Sequence, residues 1–555
     1  MRKLSLFFHK KIKVLIRQQI SVEQRLEAIP FKHNAAMKLS YLLPVFTICL
    51  FPYFSQSQKY SLKEADDVWD DYLHEQFYIP TSGQYLLVNY ASPHGGFNYN
   101  RNTDITTVVS YDSKMKKKYT VEVKELAGKK YQTSLSTASS LFMFYRDKDG
   151  TVYKSQLDPK DGSASLGEKV FSFSGERSKF IKGVSPDSSH YFILVENSTG
   201  KSGNEDYTGV VMDKQMNVIR KFSTSSNEER KNIMNRDELV TNDGTLLIIN
   251  SVKTSAEKGS FHPVEQQIKR IGTDGNTTTS VLSGLPDGLF DNIMWTIEEN
   301  NLAFVGLLAK TKKSDYTSVI SGKFDLTQKK VNNIKETELN QVSYIQNSTH
   351  SLVKDILKEG IPTDVELIHD YLNSDHSKYL ILEQNNSRTT SMGQYYAAGG
   401  AAGPMSQFGG TNYFNNNVYV IKLSAKGEVM WLKVVAKKQI QSETEVCSSI
   451  AVLKDSKNGL HLLYNDDTKN TDAEPNKKVS TATLDPKMKN TSLACSYITN
   501  EGTMTKTLLQ NNEDVEHFFS PENFVAANAN KILYTSYRVR NMGKSTFRLG
   551  VLDLK

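Results

Sequence analysis

Eight short segments of the chain are apolar on consecutive residues rather than on alternate ones. A strand of this kind buries both of its faces, because successive side chains point to opposite sides of a sheet. Each segment follows a cluster of turn-forming residues, as TNDG precedes LLII. The pattern therefore predicts eight strands that are each covered on both sides. They are QYLLV (84–88), LFMFY (141–145), YFILV (191–195), LLII (246–249), LAFVGLL (302–308), YLILE (379–383), LHLLY (460–464) and ILYTSY (532–537).

Short polar turns form a second series, and most of them stand between two β-rich runs, as TGVVM and NVIRKF flank MDKQ. Asp, Asn and Gly tolerate the tight backbone angles of hairpin turns, so the series predicts turns between later strands of each unit. Turn chemistry alone accounts for Asp158 and Asp485, which we do not expect to bind calcium or to catalyse. The series is YDSK at Tyr111, LDPK at Leu157, MDKQ at Met212, GTDG at Gly272, FDLTQK at Phe324, LSAKGE at Leu423, LDPK at Leu484 and LDLK at Leu552.

One unit reads as strand, turn cluster, apolar strand, variable loop, strand, polar turn and strand, most clearly from Ile181 to Ser223. Small sheets stacked around an axis bury their middle strands on both faces. We predict an all-β protein, a β-propeller of eight four-stranded antiparallel blades, with seven blades as the alternative. The propeller domain spans 81–555. Its last unit ends on a third strand, so we expect segment 58–80 to supply a ring-closing strand or a helix.

The segment from Met37 has the layout of a secretory signal peptide: a lysine, an apolar run and small residues at its end. We place this signal at 37–57 and interpret residues 1–36 as an upstream extension or an artefact of start-site choice. A retained membrane anchor is the alternative. We expect an exported protein, in the periplasm rather than at the cell surface or outside the cell, with no transmembrane segment in the mature chain.

Charge does not indicate a polyanionic partner. Nine of the 68 Lys and Arg residues and two of the 61 Asp and Glu residues lie in 1–57, which leaves 59 of each sign in the mature chain. The overall basicity therefore gives no reason to expect nucleic acid, and we expect a monomeric scaffold. Cys447 and Cys495 could pair as a disulfide in an oxidising compartment, or both could be buried free thiols. Neither belongs to a CxxC and the histidines are scattered, so no metal site is predicted.

The segment NNVYVIKLSAKGEVMWLKVVAKKQ, together with LHLLYNDDTKN, resembles exported propeller-like proteins of unknown function from Gram-negative bacterial envelopes. The resemblance covers Asn415–Asn470 best and implies a fold and a location but no activity. A weaker resemblance is to quinoprotein-type propeller repeats, in which Gly427 and Trp431 match but Leu423 replaces an aspartate. The chain has only three tryptophans, so a quinone cofactor is not expected, and we predict no cofactor. Trp295 and Trp431 lie in strand-like runs and are expected in the core.

Five loops between second and third strands are predicted to emerge on one face: 91–104, 197–206, 252–263, 385–417 and 465–478. The richest of them combine Gly, Asn and Tyr, which suit an adaptable binding surface. We predict that this face binds an envelope protein or a glycan. The alternative for 385–417 is a solvated linker, because its AAGGAAGP core is flexible. The predicted contacts are Tyr90, His94, Phe97, Tyr99, Tyr395, Tyr396, Phe408 and Tyr413.

Two functions from different classes follow. The chain contains no GxSxG, GxGxxG, P-loop, HExxH or sialidase box, so our leading hypothesis is a non-enzymatic binding or scaffolding propeller. The alternative is an envelope hydrolase or lyase that acts on polysaccharide or peptide near the propeller axis. A ring of ionisable side chains at the channel mouth would favour the enzyme. A flat aromatic face without perturbed carboxylates or histidines would favour binding.

Overall fold

The structure is a computed structural model in which nearly every regular element is a strand. It describes residues 60–66, 68–69, 73–90, 106–124, 128–174, 178–198, 203–253, 264–311, 314–339, 359–390, 410–442, 447–471, 479–528, 530–538 and 546–554. The predicted signal peptide and the residues upstream of it lie outside these ranges.

The described strands number 35 and are joined by one short helix, α1 (Asn512–Val515), and a 3-10 turn at Arg230–Asn232. The strands of the first half are β1 (Tyr60–Glu64), β2 (Val68–Trp69), β3 (Leu73–Ile79), β4 (Gln84–Tyr90), β5 (Thr107–Tyr111), β6 (Lys117–Glu122), β7 (Lys130–Ser136), β8 (Leu141–Arg146), β9 (Thr151–Leu157), β10 (Glu168–Ser172), β11 (Ser178–Val184), β12 (His190–Ser198), β13 (Asn204–Asp213), β14 (Val218–Glu229), β15 (Ile233–Val240), β16 (Leu246–Lys253), β17 (Val264–Ile271) and β18 (Thr277–Val281). Those of the second half are β19 (Leu289–Glu298), β20 (Asn301–Ala309), β21 (Ser318–Asp325), β22 (Lys330–Glu338), β23 (Val365–Leu372), β24 (Lys378–Thr390), β25 (Gly410–Leu423), β26 (Val429–Val435), β27 (Gln439–Ser442), β28 (Ala451–Lys454), β29 (Leu460–Asp467), β30 (Ala482–Thr483), β31 (Thr491–Ile498), β32 (Met504–Asn511), β33 (Phe518–Asn528), β34 (Lys531–Arg538) and β35 (Thr546–Leu554).

These strands form eight antiparallel sheets, the blades, and the predicted eight-bladed propeller is confirmed. Blades 1 to 5 take four consecutive strands each, from β3–β6 to β19–β22. Blade 6 contains β23–β26 with β27 and β30 added, blade 7 contains β28, β29, β31 and β32, and blade 8 contains β33–β35 with β1 and β2. The first strands of neighbouring blades contact one another, as β11 contacts β15 and β19 contacts β23. First strands therefore surround the axis and fourth strands lie at the rim.

Every one of the eight apolar segments is the second strand of a blade. Leu86 and Leu87 show why the apolar residues are consecutive, because both are fully buried. Leu86 packs with Leu141 of blade 2, whereas Leu87 packs with Leu533 of blade 8. Each middle strand therefore separates two hydrophobic clusters, one against each neighbouring blade.

The polar turns are held by side chains that accept backbone hydrogen bonds. Asp213 Oδ1, for example, accepts from the amides of Gln215 and Asn217, each at 2.9 Å. Two of the eight predicted positions were wrong. The LDPK at Leu484 lies between β30 and β31, and the terminal LDLK continues β35. Asp485 still accepts from the amide of Lys487 at 2.9 Å, so the motif specifies a local turn but not its place in a blade.

Cys447 and Cys495 are both buried and are not joined by a disulfide bond, so the disulfide alternative was wrong. Cys447 packs with Phe518 and Tyr537 in one hydrophobic cluster, and Cys495 packs with Leu463 and other residues in another. The two thiols therefore belong to different parts of the core. Trp295 and Trp431 are both buried, as expected.

The ring closes through the N-terminal side of the chain. Strand β1 pairs antiparallel with β35, from Tyr60 opposite Leu554 to Glu64 opposite Gly550. Glu64 ends this strand and accepts hydrogen bonds from Tyr534 at 3.1 Å and Ser536 at 3.2 Å. The guanidinium of Arg548 lies 3.5 Å from the same carboxylate. A partly buried ionic cluster thus fixes the closing strand against two strands of blade 8.

We expect Glu64→Ala to destabilise the fold by about 2 to 3 kcal/mol, because it removes the carboxylate to which the buried Tyr534 and Ser536 hydroxyls donate. The neighbouring Lys63→Ala is the matched control. Lys63 is 43% exposed and lies 3.5 Å from Asp553, so its loss should cost less than about 1 kcal/mol. Urea unfolding of both variants checks this, and equal shifts of the midpoint would contradict the role given to Glu64.

Candidate functional site

The connections between second and third strands lie at one face of the propeller, which we call the loop face. All five predicted loops fall at this position, where they coincide with or overlap the connections β4–β5, β12–β13, β16–β17, β24–β25 and β29–β31. Because the strands of a blade are antiparallel, the first strands also begin at the loop face. Six predicted contacts lie outside the described residues and stay predictions: His94, Phe97, Tyr99, Tyr395, Tyr396 and Phe408.

Tyr90, a seventh predicted contact, ends β4 and is half-buried. Its ring centroid lies 4.3 Å from that of Tyr131 on the first strand of blade 2. Burial and the nearby Glu75 raise the pKa of Tyr90 to about 12. Packing between two blades therefore occupies much of this side chain.

Tyr413, the eighth contact, lies in a long ribbon of blade 6. The predicted loop 385–417 is only partly a loop, because β24 extends to Thr390 and β25 begins at Gly410. The two strands stay paired from Asn385 opposite Asn415 outward. On the other side β27 pairs with β25 and places Gln441 opposite the half-buried Tyr413. Flanking Asn, Thr and aromatic residues thus pair as strands where the sequence indicated a loop.

A buried ion pair anchors the base of this ribbon. The Lys437 ammonium contacts the Glu383 carboxylate, and both side chains are fully buried. Lys437 also donates to Gln439 Oε1 at 2.7 Å and to the carbonyl of Asn415 at 3.3 Å. Gln439 Nε2 in turn donates to the carbonyl of Asn465 in blade 7 at 2.7 Å. The network therefore fixes the base of the ribbon within blade 6 and links it to blade 7.

A cavity of about 240 Å³ lies where the first strands of blades 4, 5 and 6 begin, next to the loop face. Its polar walls come from six residues of these strands, and Ser251, Ile293 and Leu367 complete it. Blades 4 and 6 also carry the predicted loops 252–263 and 385–417. The cavity therefore lies at the axial base of the predicted binding face. The six polar residues are Asn235, Arg236, Asp237, Asp291, Asn292 and Glu366.

Two bulges shape the cavity. The pairing of β19 shifts between Asp291 and Met294, and Asn292 takes a left-handed backbone with φ of 53°. Its side-chain oxygen accepts from the amide of Leu367 in blade 6 at 2.7 Å. The pairing of β23 shifts just after Leu367. Bulges bend a strand and redirect its side chains, which here spaces two blades apart while Asn292 bridges them.

The carboxylates at the axis are electrostatically strained. Burial, reinforced by the charges of Asp370 and Asp291, raises the pKa of Asp237 to about 6. Burial also raises the pKa of Asp291 and that of Asp370. Asn235 Nδ2 donates to Asp291 Oδ1 at 2.8 Å. Asp237, Asp291 and Asp370 thus lie near the axis in surroundings that disfavour their charged forms.

Arg236 does not neutralise this group, because its guanidinium faces blade 3. It lies 2.6 Å from Glu196, contacts Glu205, and lies 3.9 Å from Glu238. Its Nε donates to Asn250 Oδ1 at 3.2 Å. Burial raises the pKa of Glu238 to about 7 despite the attraction of Arg236. The Arg236 guanidinium is therefore already paired with neighbouring glutamates and with Asn250.

His369 lies on the first strand of blade 6 and is held neutral, because burial lowers its pKa to about 4. Its ring packs edge-on against Phe524 of blade 8 at 5.4 Å. In the part of the chain that the structure describes, no three His, Cys, Asp or Glu side chains are grouped to hold a metal ion. The same residues include no helix with the length and apolarity to cross a membrane.

Sequence reasoning missed the axial cavity. The usable signal was the placing of ionisable residues inside otherwise strand-like runs, as in IMNRDELV, LFDNIMW and VELIHDYL. Each run is the first strand of a blade, and each departs from the apolar character of the second strands. That the three runs meet at one point depends on ring geometry, which no local pattern specifies.

No known family and no curated protein matches this chain. Among solved structures, the WD40 domain of SCAP from fission yeast is 9% identical, with a TM-score of 0.40, and the alignment covers 89% of this chain and 98% of that one. A protein of unknown function from Bacteroides caccae is 11% identical, with a TM-score of 0.26 and coverage of 63% and 94%. The periplasmic gluconolactonase PpgL of Pseudomonas aeruginosa is 9% identical, with a TM-score of 0.33 and coverage of 66% and 87%. Similarities this low do not indicate a shared function.

Asp237→Asn should stabilise the protein at high pH. The pKa of Asp237 is about 6 when folded against 3.8 for an ordinary aspartate, so folding takes up protons between these values and stability falls as pH rises through them. Asparagine removes this cost, which is about 1 to 3 kcal/mol. The gain in urea midpoint should be full at pH 8 and small at pH 4. A gain in urea midpoint that does not depend on pH would contradict the raised pKa of Asp237.

Asp112→Asn is a control in which the pKa of the aspartate is shifted in the opposite direction, downward instead of upward. Backbone amides of Lys116 and Lys114 lower the pKa of this exposed turn carboxylate, which favours its charged form. The contribution of Asp112 is present above its ordinary pKa and is lost as pH falls through its lower, folded value. The substitution should therefore destabilise the protein at neutral pH rather than stabilise it.

Lys437→Met should destabilise the protein by about 3 to 5 kcal/mol, because it leaves the Glu383 carboxylate buried without its counter-ion. The double variant Lys437→Met with Glu383→Leu should recover most of the loss. The exposed pair of Lys335 and Glu428, 2.5 Å apart, gives the control Lys335→Met, with an expected cost below about 1 kcal/mol. Urea unfolding measures all three, and a double variant no more stable than Lys437→Met would contradict the assignment.

Proposed function

We propose that this chain is an exported β-propeller of the bacterial cell envelope that binds a partner on its loop face, with the axial cavity as the centre of the site. The observation that carries the proposal is the position of the cavity. It lies at the loop-face ends of three first strands, at the base of two of the predicted binding loops. The cavity and the loops therefore form one continuous candidate surface.

The chemistry of the cavity supports a ligand role. Burial raises the pKa of both Asp237 and Asp291, and the charges of Asp370 and Asp291 add to the rise at Asp237, which means that the charged forms destabilise the unliganded protein. Proteins commonly keep such strained polar groups where they bind or react. A ligand that donates hydrogen bonds to these carboxylates would relieve the strain and so gain affinity.

The ribbon of blade 6 supports the same location. Strands β24 and β25 project past the body of the blade, and the buried pair of Lys437 and Glu383 fixes their base. Tyr413 is half-buried on this ribbon. A rigid ribbon beside a polar cavity can contact a partner with less loss of conformational entropy than a free loop of equal length.

A hydrolase or lyase that acts on polysaccharide or peptide is the second candidate, and the raised pKa values of the axial carboxylates favour it by the criterion stated above. Asp237, with a pKa of about 6, would suit a general acid. Acid and base roles usually need two groups whose pKa values are pushed apart, whereas Asp237, Asp291 and Asp370 all shift upward. We therefore place binding first.

The test is an affinity pull-down from solubilised envelopes with residues 58–555, with and without Glu366→Arg. Glu366 is an exposed side chain of the cavity wall, so the arginine should cover the opening without disturbing the core. The control is Glu299→Arg, which changes another exposed glutamate, in the turn between β19 and β20 on the opposite face. We expect one partner to be retained by the parent and by Glu299→Arg and lost from Glu366→Arg.

A partner retained by all three proteins would contradict the cavity as the binding centre. The same preparations, incubated with envelope polysaccharide and with envelope peptides, test the second candidate. Release of new reducing ends or of new amino groups by the parent, abolished in Asp237→Asn, would establish the enzyme instead.

A further inference from the structure

The second strand of blade 6 extends beyond its first strand at the loop face. Strand β23 begins at Val365, which pairs with Gln384, whereas β24 continues to Thr390. In blades 1 to 5 and in blade 8, the second strand passes the start of the first strand by at most one residue. Because first strands lie nearest the axis, the extension of β24 has one strand edge that faces the axis. We call residues 386–390 the overhang.

The axial edge of the overhang is open. On the other edge, residues 386–390 pair with residues 410–414 of β25 in unbroken register. On the axial edge, no strand in the described part of the chain pairs with them. Asn386 and Ser387 are exposed. At the usual rise of a strand, the open edge is about 16 Å long.

The backbone groups on the open edge follow from the neighbouring residue. The amide of Asn385 donates to the carbonyl of Asp364, just before β23, at 3.1 Å. Backbone N–H and C=O groups alternate between the two edges of a strand, so those of Ser387 and Thr389 point to the same side as those of Asn385. They have no strand partner among the described residues. Open edges of this kind bind extended chains, because an added strand satisfies such backbone groups.

Blade 7 shows how the chain covers a similar extension. Strand β29 passes the start of β28 by residues 464–467, which are buried. The carbonyl of Asn465 accepts from Gln439 Nε2 at 2.7 Å, and its side-chain amide donates to the carbonyl of Cys447 at 2.8 Å. Residues of β27 and of the segment before β28 therefore cover this extension. The described residues provide no such cover for the overhang of blade 6.

Carboxylates surround the inner end of the open edge. The side chain of Asp364 lies next to the start of β23 and accepts from Gln384 Nε2 at 3.1 Å. Burial raises the pKa of Asp315, and the charges of Asp364 and Glu359 add to the rise. No described Lys or Arg side chain forms an ion pair with Asp315, Asp364 or the cavity residue Glu366. A basic side chain on an added strand would therefore meet complementary charge at this end.

We infer that the partner of the loop face is a protein that adds an extended segment to the open edge of β24, with a lysine or arginine near the C-terminal end of that segment. This inference rests on the proposed binding role of the loop face and names the class of its partner. The added segment lies in line with β23 and antiparallel to β24. Its backbone pairs with Ser387 and Thr389, and its basic side chain lies near Asp364 and Glu366.

The experiment measures the fluorescence polarisation of a labelled peptide, Thr-Val-Thr-Val-Lys-Thr, mixed with residues 58–555. Its β-branched residues favour an extended chain, and its lysine stands near the C-terminal end. We expect the peptide to bind. Ser387→Pro should weaken its affinity about tenfold or more, because proline removes one N–H of the open edge and obstructs pairing there.

Ser387→Ala is the matched control, because it changes the side chain and keeps the backbone N–H, and its affinity should equal that of the parent. The Ser387 N–H has no strand partner in the fold, so the urea midpoint of Ser387→Pro should stay close to that of the parent. Two altered peptides test the same pairing on the unchanged protein. Proline in place of both valines, or glutamate in place of the lysine, should each weaken binding about tenfold.

Failure of the first peptide to bind, or equal affinity in the parent and in Ser387→Pro, would overturn strand addition. Equal affinity of the lysine and glutamate peptides would overturn the role of the basic residue. A dimer in analytical ultracentrifugation that Ser387→Pro disrupts would make a second copy of this chain the occupant and overturn the partner class. The pull-down decides the binding role separately. A partner lost from Glu366→Arg but retained by Ser387→Pro would preserve the loop-face site and overturn strand addition.

Discussion

Closure of the ring is the constraint on which the rest of this structure depends. Each of the eight blades buries both faces of its middle strands against two neighbours, so an open ring would expose an apolar sheet face at each end. Strand β1 completes blade 8 and removes this defect. The Glu64 cluster adds directional bonds to what is otherwise non-directional packing. The N-terminal strand, although only partly buried, therefore supplies the fourth strand that blade 8 needs.

Closure of the ring also determines where polar side chains can lie. Between neighbouring blades the space is filled by hydrophobic clusters, which leaves the axis, the turns and the two faces for polar side chains. The first strands lie nearest the axis and contact the first strands of neighbouring blades, so ionisable residues on different blades lie close together there. Asp237, Asp291 and Asp370 interact for this reason although they belong to three different blades. Strained carboxylates and a cavity thus arise at the same place from the same geometry.

The loop face combines an axial cavity with a strand-paired ribbon of blade 6. At the axis, bulged first strands and the bridging Asn292 hold the cavity open. Farther out, the buried pair of Lys437 and Glu383 supports a ribbon where the sequence indicated a flexible insert. If the loop face binds the proposed partner, a preformed polar centre beside a strand-paired ribbon would need little rearrangement to do so.

The sequence by itself determined the repeat. Consecutive apolar residues require burial on both faces, and this local rule located all eight second strands and favoured eight blades over seven. It did not distinguish a turn between third and fourth strands from any other turn, because Asp485 makes the same local hydrogen bonds as its counterparts. Only the tertiary structure decided the axial cavity, because Asn235, Asp291 and Glu366 are distant in sequence. Their proximity follows from ring closure and strand register, which set distances that no short pattern of residues encodes.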